Sequence, residues 1–307
     1  MKSFEFVQNL LTTLVIPMLA IVVGIAATPG VWIFLEFHPL VAEQDYWIEI
    51  LGTSILLGFG VMIWGVTLVL LSGVLGGLTG PRVGEGRYPL RSFVTIQWAF
   101  SMLFHRIALF FLPKLVPSFI GTLYYRLSGA KIGKGCQLNT ENVNDCKSVI
   151  IGNNVVLGGS CTINAHLVEK GELVMAPVVI GDGALIGAKS TVQPGCKIGE
   201  GAVIATMAVL PKWTVVPAGE VWGGIPAKCI RRADGSNRND SEIITQLARR
   251  FTRRRLLPQA RHQQSTHRLL LLEPHPCARG RLLASVPARE SPRWRNRSYR
   301  SGSESLY

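Results

Sequence analysis

The sequence predicts a mainly β protein: a parallel β-helix preceded by an α-helical transmembrane hairpin. Two patterns predict it, an aliphatic residue at every sixth position over 180–216 and two long apolar runs before residue 80. The third observation is how charge is sorted. The 307 residues carry a net charge of +13 and a mean hydropathy of +0.30. Yet 3–80 contains no Lys or Arg, whereas 234–307 holds fifteen Arg, six acidic residues and no Lys. One even fold does not distribute charge this way. The chain is therefore expected to divide into a helical hairpin over 1–92, interfacial helices over 93–130, a β-helix over 131–232 and an Arg-rich, disordered tail over 233–307.

The first apolar run, 10–37, is interrupted only by Thr12, Thr13, Thr28 and Glu36, and the second, 50–77, has no charge at all. Each exceeds the roughly 20 residues needed to cross a bilayer core. A short link with Glu43, Asp45 and Glu49 joins them. A cleaved signal peptide is the rival reading of the first run, but its apolar core continues through Val31, Trp32, Ile33, Phe34 and Leu35, too far for one. Arg82, Arg87 and Arg91 follow the second run while the link has no basic residue. Positive charge is retained on the inner side, so both ends of the hairpin and everything after it are expected in the cytoplasm, on an inner or cytoplasmic membrane. Residues 93–127 are again apolar but broken by His105, Arg106, Pro113, Lys114 and Pro117, which suits helices lying on membrane lipid. A third crossing is the alternative there.

From Ile132 the chain reads in units of six. Ile132, Leu138, Ile151, Leu157, Ile180, Ile186, Val192, Ile198, Ile204, Leu210 and Val216 open the units, and small residues such as Cys136, Cys161, Ala184, Ser190, Cys196, Ala202 and Ala208 stand fifth. A fixed short period marks a solenoid, in which each coil buries its row against the next. Helical spacing of three and four is absent. Glycine recurs at the second position, where a tight turn is expected. The cysteines form no C-x-x-C pair, and three of the six occupy the small fifth position, which is packing rather than chemistry. The repeat is interrupted after Ile163-Asn164-Ala165-His166 by a loop, LVEKGELVMAPVV. A loop expelled from a regular coil can build a site, and His166 stands at its root as the one histidine of the repeat region.

These units resemble the hexapeptide-repeat acyltransferases, whose coils are left-handed. The stretches SVIIGNNVVLGGSCTINAH, GELVMAPVVIGDGALIG and GGIPAKCIRR are similar to the galactoside and maltose O-acetyltransferase branch. The resemblance implies that His166 is the general base, taking a proton from a hydroxyl or amine that attacks acetyl-CoA or another acyl-CoA. Imidazole, which ordinarily titrates near neutrality, suits that task. It further implies Asn139 as an acceptor-binding residue, Lys212 and Lys228 beside the coenzyme A phosphates, Ala208 beside the cofactor, no metal, and a homotrimer. Two departures stand out: a shorter loop after His166, and Thr206-Met207-Ala208 where the family has small residues. The run from Arg87 to Gly133 resembles the membrane-embedded C-terminal region of nonribosomal-peptide-synthetase-like proteins such as the ε-poly-lysine synthases, which adds an amine or carrier-bound aminoacyl acceptor to the small-molecule and saccharide ones.

Two rival classes remain. A γ-type carbonic anhydrase shares the β-helix but needs three histidines around a metal. A non-catalytic scaffold, or a condensation-type domain of a peptide synthetase-like system, is the stronger rival. The Arg-rich tail lacks the aromatic interleaving and periodicity of a nucleic-acid binder, and its Arg-only composition raises the question of its reading frame. No nucleic-acid partner is expected.

Overall fold

A computed structural model describes residues 2–237. The Arg-rich tail beyond them lies outside the described residues. Two long helices come first, α1 (Lys2–Phe37) and α3 (Tyr46–Thr79), joined through the short α2 (Pro39–Ala42). Both outrun the apolar segments expected from sequence, because the flanking residues carry no breaker. The pair is long and apolar enough to cross a membrane. They touch where side chains vanish: a Cβ on Gly30 would lie 2.4 Å from the Gly60 carbonyl oxygen. Small residues let helix backbones approach. Around that seam Ile16, Trp32, Leu51 and Phe59 are each more than 60% exposed.

Residues 93–127 form α4 (Phe93–Ala108), α5 (Leu112–Leu115) and α6 (Phe119–Leu127). Ser92 caps α4 by accepting from the Thr95 amide. Helix α4 runs back along α3. The Ser101 hydroxyl donates to the Gly76 carbonyl, and ten residues on the Phe111 ring fills the space beside Gly65. Helix α6 then returns, setting Tyr124 against Gly73 and Leu127 against Gly77. The segment is a helical hairpin folded against α3 that ends near where it began. Pro113 and Pro117 sit at its turn.

The remainder coils into three faces of short parallel strands. One face stacks Lys131–Ile132, Val149–Ile151, Val178–Ile180, Lys197–Ile198 and Val215–Val216. The second runs from Gln137–Leu138 to Val221–Gly224, and the third from Asn142–Val143 to Val209–Leu210. The first-position residues point inward in register, Ile132 with Ile151, Ile180, Ile198 and Val216. All of those from Leu138 onward are buried. Each such burial contributes about 1.5–3 kcal/mol. A return strand, Ala227–Arg231, folds antiparallel onto Val221–Gly224 and closes the far end. At the near end α6 acts as the plug. Tyr124 and Tyr125 join one core with Val69, Leu112, Val143 and Val149, and the Tyr125 hydroxyl donates to the Thr140 carbonyl at 2.7 Å. Helices and coil therefore share a hydrophobic core.

The glycines divide differently from the sequence expectation. Left-handed backbone falls at the fourth position of most units, as at Asn154, Ser160, Gly183, Lys189, Gly201 and Met207. The second-position glycine is needed for a different reason, the approach of the next coil. A Cβ on Gly187 would sit 2.5 Å from the Thr206 nitrogen and 2.6 Å from the Ala205 carbonyl carbon. Backbone cannot step aside as a side chain can, so Gly187→Ala is expected to cost about 1–3 kcal/mol. Met207→Gly, which relieves a left-handed non-glycine residue, is expected to leave stability unchanged or raise it. Denaturation midpoints of the detergent-solubilised variants check the contrast, and equal midpoints would refute it.

The interruption after Ile163 is not a loop. It is a two-stranded hairpin, His166–Glu169 with Glu172–Met175, turned by Lys170 and Gly171 at positive φ. A third strand, Gly86–Pro89, arrives from the end of α3 and pairs antiparallel with it, Arg87 opposite Val174.

Candidate active site

The site begins as an irregularity of the coil. From Val143 to Ile151 the inward residues are eight apart rather than six, and the surplus forms a turn of 3-10 helix, Cys146–Ser148. From Ile163 to Ile180 the surplus is the hairpin. Both fall at the same corner of the prism, after the third face, in consecutive coils. The repeat is thus interrupted twice, and the second interruption supplies what the sequence reading lacked.

That residue is Asp145, held in left-handed backbone with φ 57°. Its side chain is 2% exposed and accepts three hydrogen bonds. The Trp98 indole N–H donates to Oδ1 at 2.9 Å, the Ala165 amide to Oδ2 at 3.2 Å, and His166 Nδ1 lies 2.5 Å from Oδ2. A carboxylate only accepts, so Nδ1 carries the hydrogen, and in the neutral ring the lone pair is on Nε2. The Trp98 ring packs on the imidazole, centroids 4.7 Å apart. Asn144 donates to the Asn164 side chain at 2.7 Å beside them, bracing the same two coils. His166 is therefore oriented by a carboxylate that is itself oriented. The arrangement can take a proton at Nε2 and return it.

On the hairpin, Glu169 receives Lys212 Nζ at 2.5 Å, while Arg87 reaches Glu169 at 3.7 Å and Glu172 at 3.5 Å. The Lys212 hydrogen bond, with Arg87 adding to it, holds the Glu169 carboxyl below its usual range. The Trp213 indole donates to Glu85 at 2.9 Å. Segment 81–92 thus straps the hairpin to the coil above it.

Of the residues singled out by sequence, Lys212 shares the His166 corner, two coils further on, but is clasped by Glu169. Asn139 lies at a different corner, after the second face, where it lines an open groove of about 600 Å³ with Phe119, Leu123, Arg126 and Gln137. Ala208 is fully buried in the core. Lys228 is on the return strand, opposite Gly223, and exposed. One chain does not bring Asn139, Ala208 or Lys228 beside His166. Among the described residues no group of three or more His, Cys, Asp or Glu could hold a metal ion. The thiols are packing groups: burial pushes both Cys161 and Cys146 up to about 12, away from a reactive thiolate.

Residues 177–212 match the family model described as bacterial transferase hexapeptide (six repeats). This part of the coil carries the hexapeptide repeat of that family. The left-handed β-helix carries the site at the one corner where the repeat breaks. Among similar curated proteins, the Delta-poly-L-ornithine synthetase of Acinetobacter baumannii is 26% identical over 152 residues, half of this chain and 11% of that protein. A putative acetyltransferase of Bacillus subtilis, YvoF, is 35% identical over 111 residues, 35% of this chain and 63% of that one. The chain spans less than two thirds of either relative. A hexapeptide-repeat acetyltransferase of Vibrio cholerae solved with acetyl coenzyme A is 25% identical, covering 34% of this chain and 61% of that one, with a TM-score of 0.32.

Proposed function

We propose that this chain is a membrane-anchored, CoA-dependent acyltransferase, most simply an acetyltransferase, acting on a hydroxyl or amine. The observation that supports it best is the Trp98–Asp145–His166 chain of hydrogen bonds and ring packing. In this reading His166 Nε2 takes the proton as the acceptor oxygen or nitrogen bonds to the thioester carbon. The tetrahedral intermediate collapses with loss of the C–S bond, and the imidazolium returns the proton to the thiolate, leaving free CoA and an ester or amide. No cysteine nucleophile is required. Lys212 and Lys228 are the proposed phosphate contacts, Ala208 the backbone beside the pantetheine arm, and Asn139 an acceptor contact. Because the last three lie away from His166 within one chain, a homotrimer that sets one subunit's corner against another's face brings them together.

Helices α1 and α3 are the proposed anchor, spanning a bilayer with both ends cytoplasmic. Lipid then covers apolar side chains that are otherwise left exposed, such as Trp32, Leu51 and Phe59. The likeness to the poly-ornithine synthetase is longer than the 131–232 coil. It favours a second reading in which the acceptor is an amine or a carrier-bound aminoacyl group; the same base serves it.

The test is release of free CoA from acetyl-CoA by the detergent-solubilised chain, with alcohols and amines as separate acceptor sets. Acceptor-dependent release is expected. Silence towards every acceptor, with acetyl-CoA and longer acyl-CoA alike, would move the assignment to a non-catalytic scaffold.

A further inference from the structure

Given the anchored acyltransferase read above, we infer that its acceptor is a membrane amphiphile whose headgroup carries the accepting hydroxyl or amine. The ground is where the base stands. If α3 spans the bilayer, its uncharged stretch ends next to Gly80, which sets the boundary between lipid and water. The catalytic corner is fastened to that point. Lys147, two residues from Asp145, donates from Nζ to the Gly80 carbonyl at 2.5 Å. Gly80, Pro81, Trp98, Ser101, Asp145 and Met175 wall one small cavity. Trp98 comes from α4 within a turn of Ser101, which is bonded to α3 at Gly76. The imidazole packed on Trp98 is thereby held at the height of the headgroups.

The other coils lead away from this boundary. They stack at about 4.8 Å per coil, and the two interruptions that make the site follow the third faces of the two coils nearest the helices. A water-borne acceptor could be served anywhere along the prism. Here the base is instead locked, through Asp145 and Trp98, to helices that fold against the spans. The surroundings suit an amphiphile as well. Phe93 at the start of α4 is 72% exposed and Val168, two residues beyond His166, is 55% exposed. Arg82 is exposed next to Pro81, where an anionic phosphate can meet it. The reaction then joins the headgroup oxygen or nitrogen to the acyl carbon. Its proton passes by Nε2 to the departing sulfur, giving an acylated lipid and CoA.

Membranes from cells making the full chain, and matched membranes with His166→Gln, are to be incubated with radiolabelled acetyl-CoA and extracted into chloroform-soluble, water-soluble and protein fractions. The expected result is label in the chloroform-soluble fraction that is lost with His166→Gln. His166-dependent label confined to the water-soluble or protein fraction would overturn the lipid acceptor while leaving the acyltransferase standing. No His166-dependent label in any fraction, with both proteins shown to be inserted and equally abundant, would overturn both readings.

Discussion

Exchange of His166 for Ala is expected to lower acyl transfer about 10²–10⁴-fold, the usual loss when a general base is removed, and to leave the coil folded. The ring is partly exposed, and its removal leaves the buried Asp145 carboxylate with two of its three donors, Trp98 and the Ala165 amide. Loss of the third costs about 1–3 kcal/mol, enough to lower the melting midpoint but not to abolish folding of a chain whose coil and helices share one core. Cys161→Ala is the informative control. That side chain is fully buried, with its thiol pushed up to about 12, so its replacement is expected to shift the midpoint and spare turnover per folded molecule. Initial rates with acetyl-CoA, normalised to folded protein by near-ultraviolet circular dichroism, separate the two. Near-normal turnover in His166→Ala would remove the general-base assignment.

The coil was legible in the sequence because its energetics are local and periodic. One aliphatic residue per face is the whole requirement for the core, and from Leu138 to Val216 each one named from the period is buried. His166 was legible for the same reason, standing where the period breaks. Asp145 left a trace that period-six reading passes over: between Val143 and Ile151 the spacing is eight, with an acidic residue in the surplus. Trp98 left none. Its indole meets Asp145 across 47 residues, a contact fixed by how α4 packs on α3. The strap strand Gly86–Pro89 was hidden in the same way. Of its four residues only Tyr88 favours a strand while Gly86 and Pro89 oppose one, and the hairpin edge is what makes them one. The second-position glycines were read as turn residues because sequence cannot distinguish a left-handed φ from the approach of a neighbouring backbone.

Asp145→Asn is expected to reduce turnover as severely as loss of the base, through geometry rather than chemistry. Asn tolerates left-handed backbone, so φ 57° persists and the corner keeps its shape. The side chain now has one acceptor oxygen and one donor NH₂ where the native carboxylate offers two acceptors to three donors. With the oxygen towards His166 and the Ala165 amide, the NH₂ confronts the Trp98 N–H. With the amide flipped, Trp98 is satisfied but the NH₂ faces both the Ala165 N–H, a second donor, and His166, which must then accept at Nδ1 and carry its hydrogen on Nε2. That tautomer has no lone pair for the acceptor proton. Each orientation opposes one N–H donor, and because the Trp98 bond at 2.9 Å is shorter than the Ala165 bond at 3.2 Å, keeping it favours the inactive arrangement; a drop of about 10²–10⁴-fold in kcat follows, with little change in KM for acetyl-CoA. Trp98→Phe in the native background removes one donor to a carboxylate that retains two, and so is expected to cost much less. In the Asp145→Asn background the same change removes the clash that enforces the flip, lets the Asn oxygen turn to His166, and is expected to restore part of the lost activity. The double variant is therefore predicted to be more active than Asp145→Asn alone, a coupling that a double-mutant cycle on kcat measures directly. Effects that simply add would show that Trp98 packs beside the site without setting the tautomer of its base.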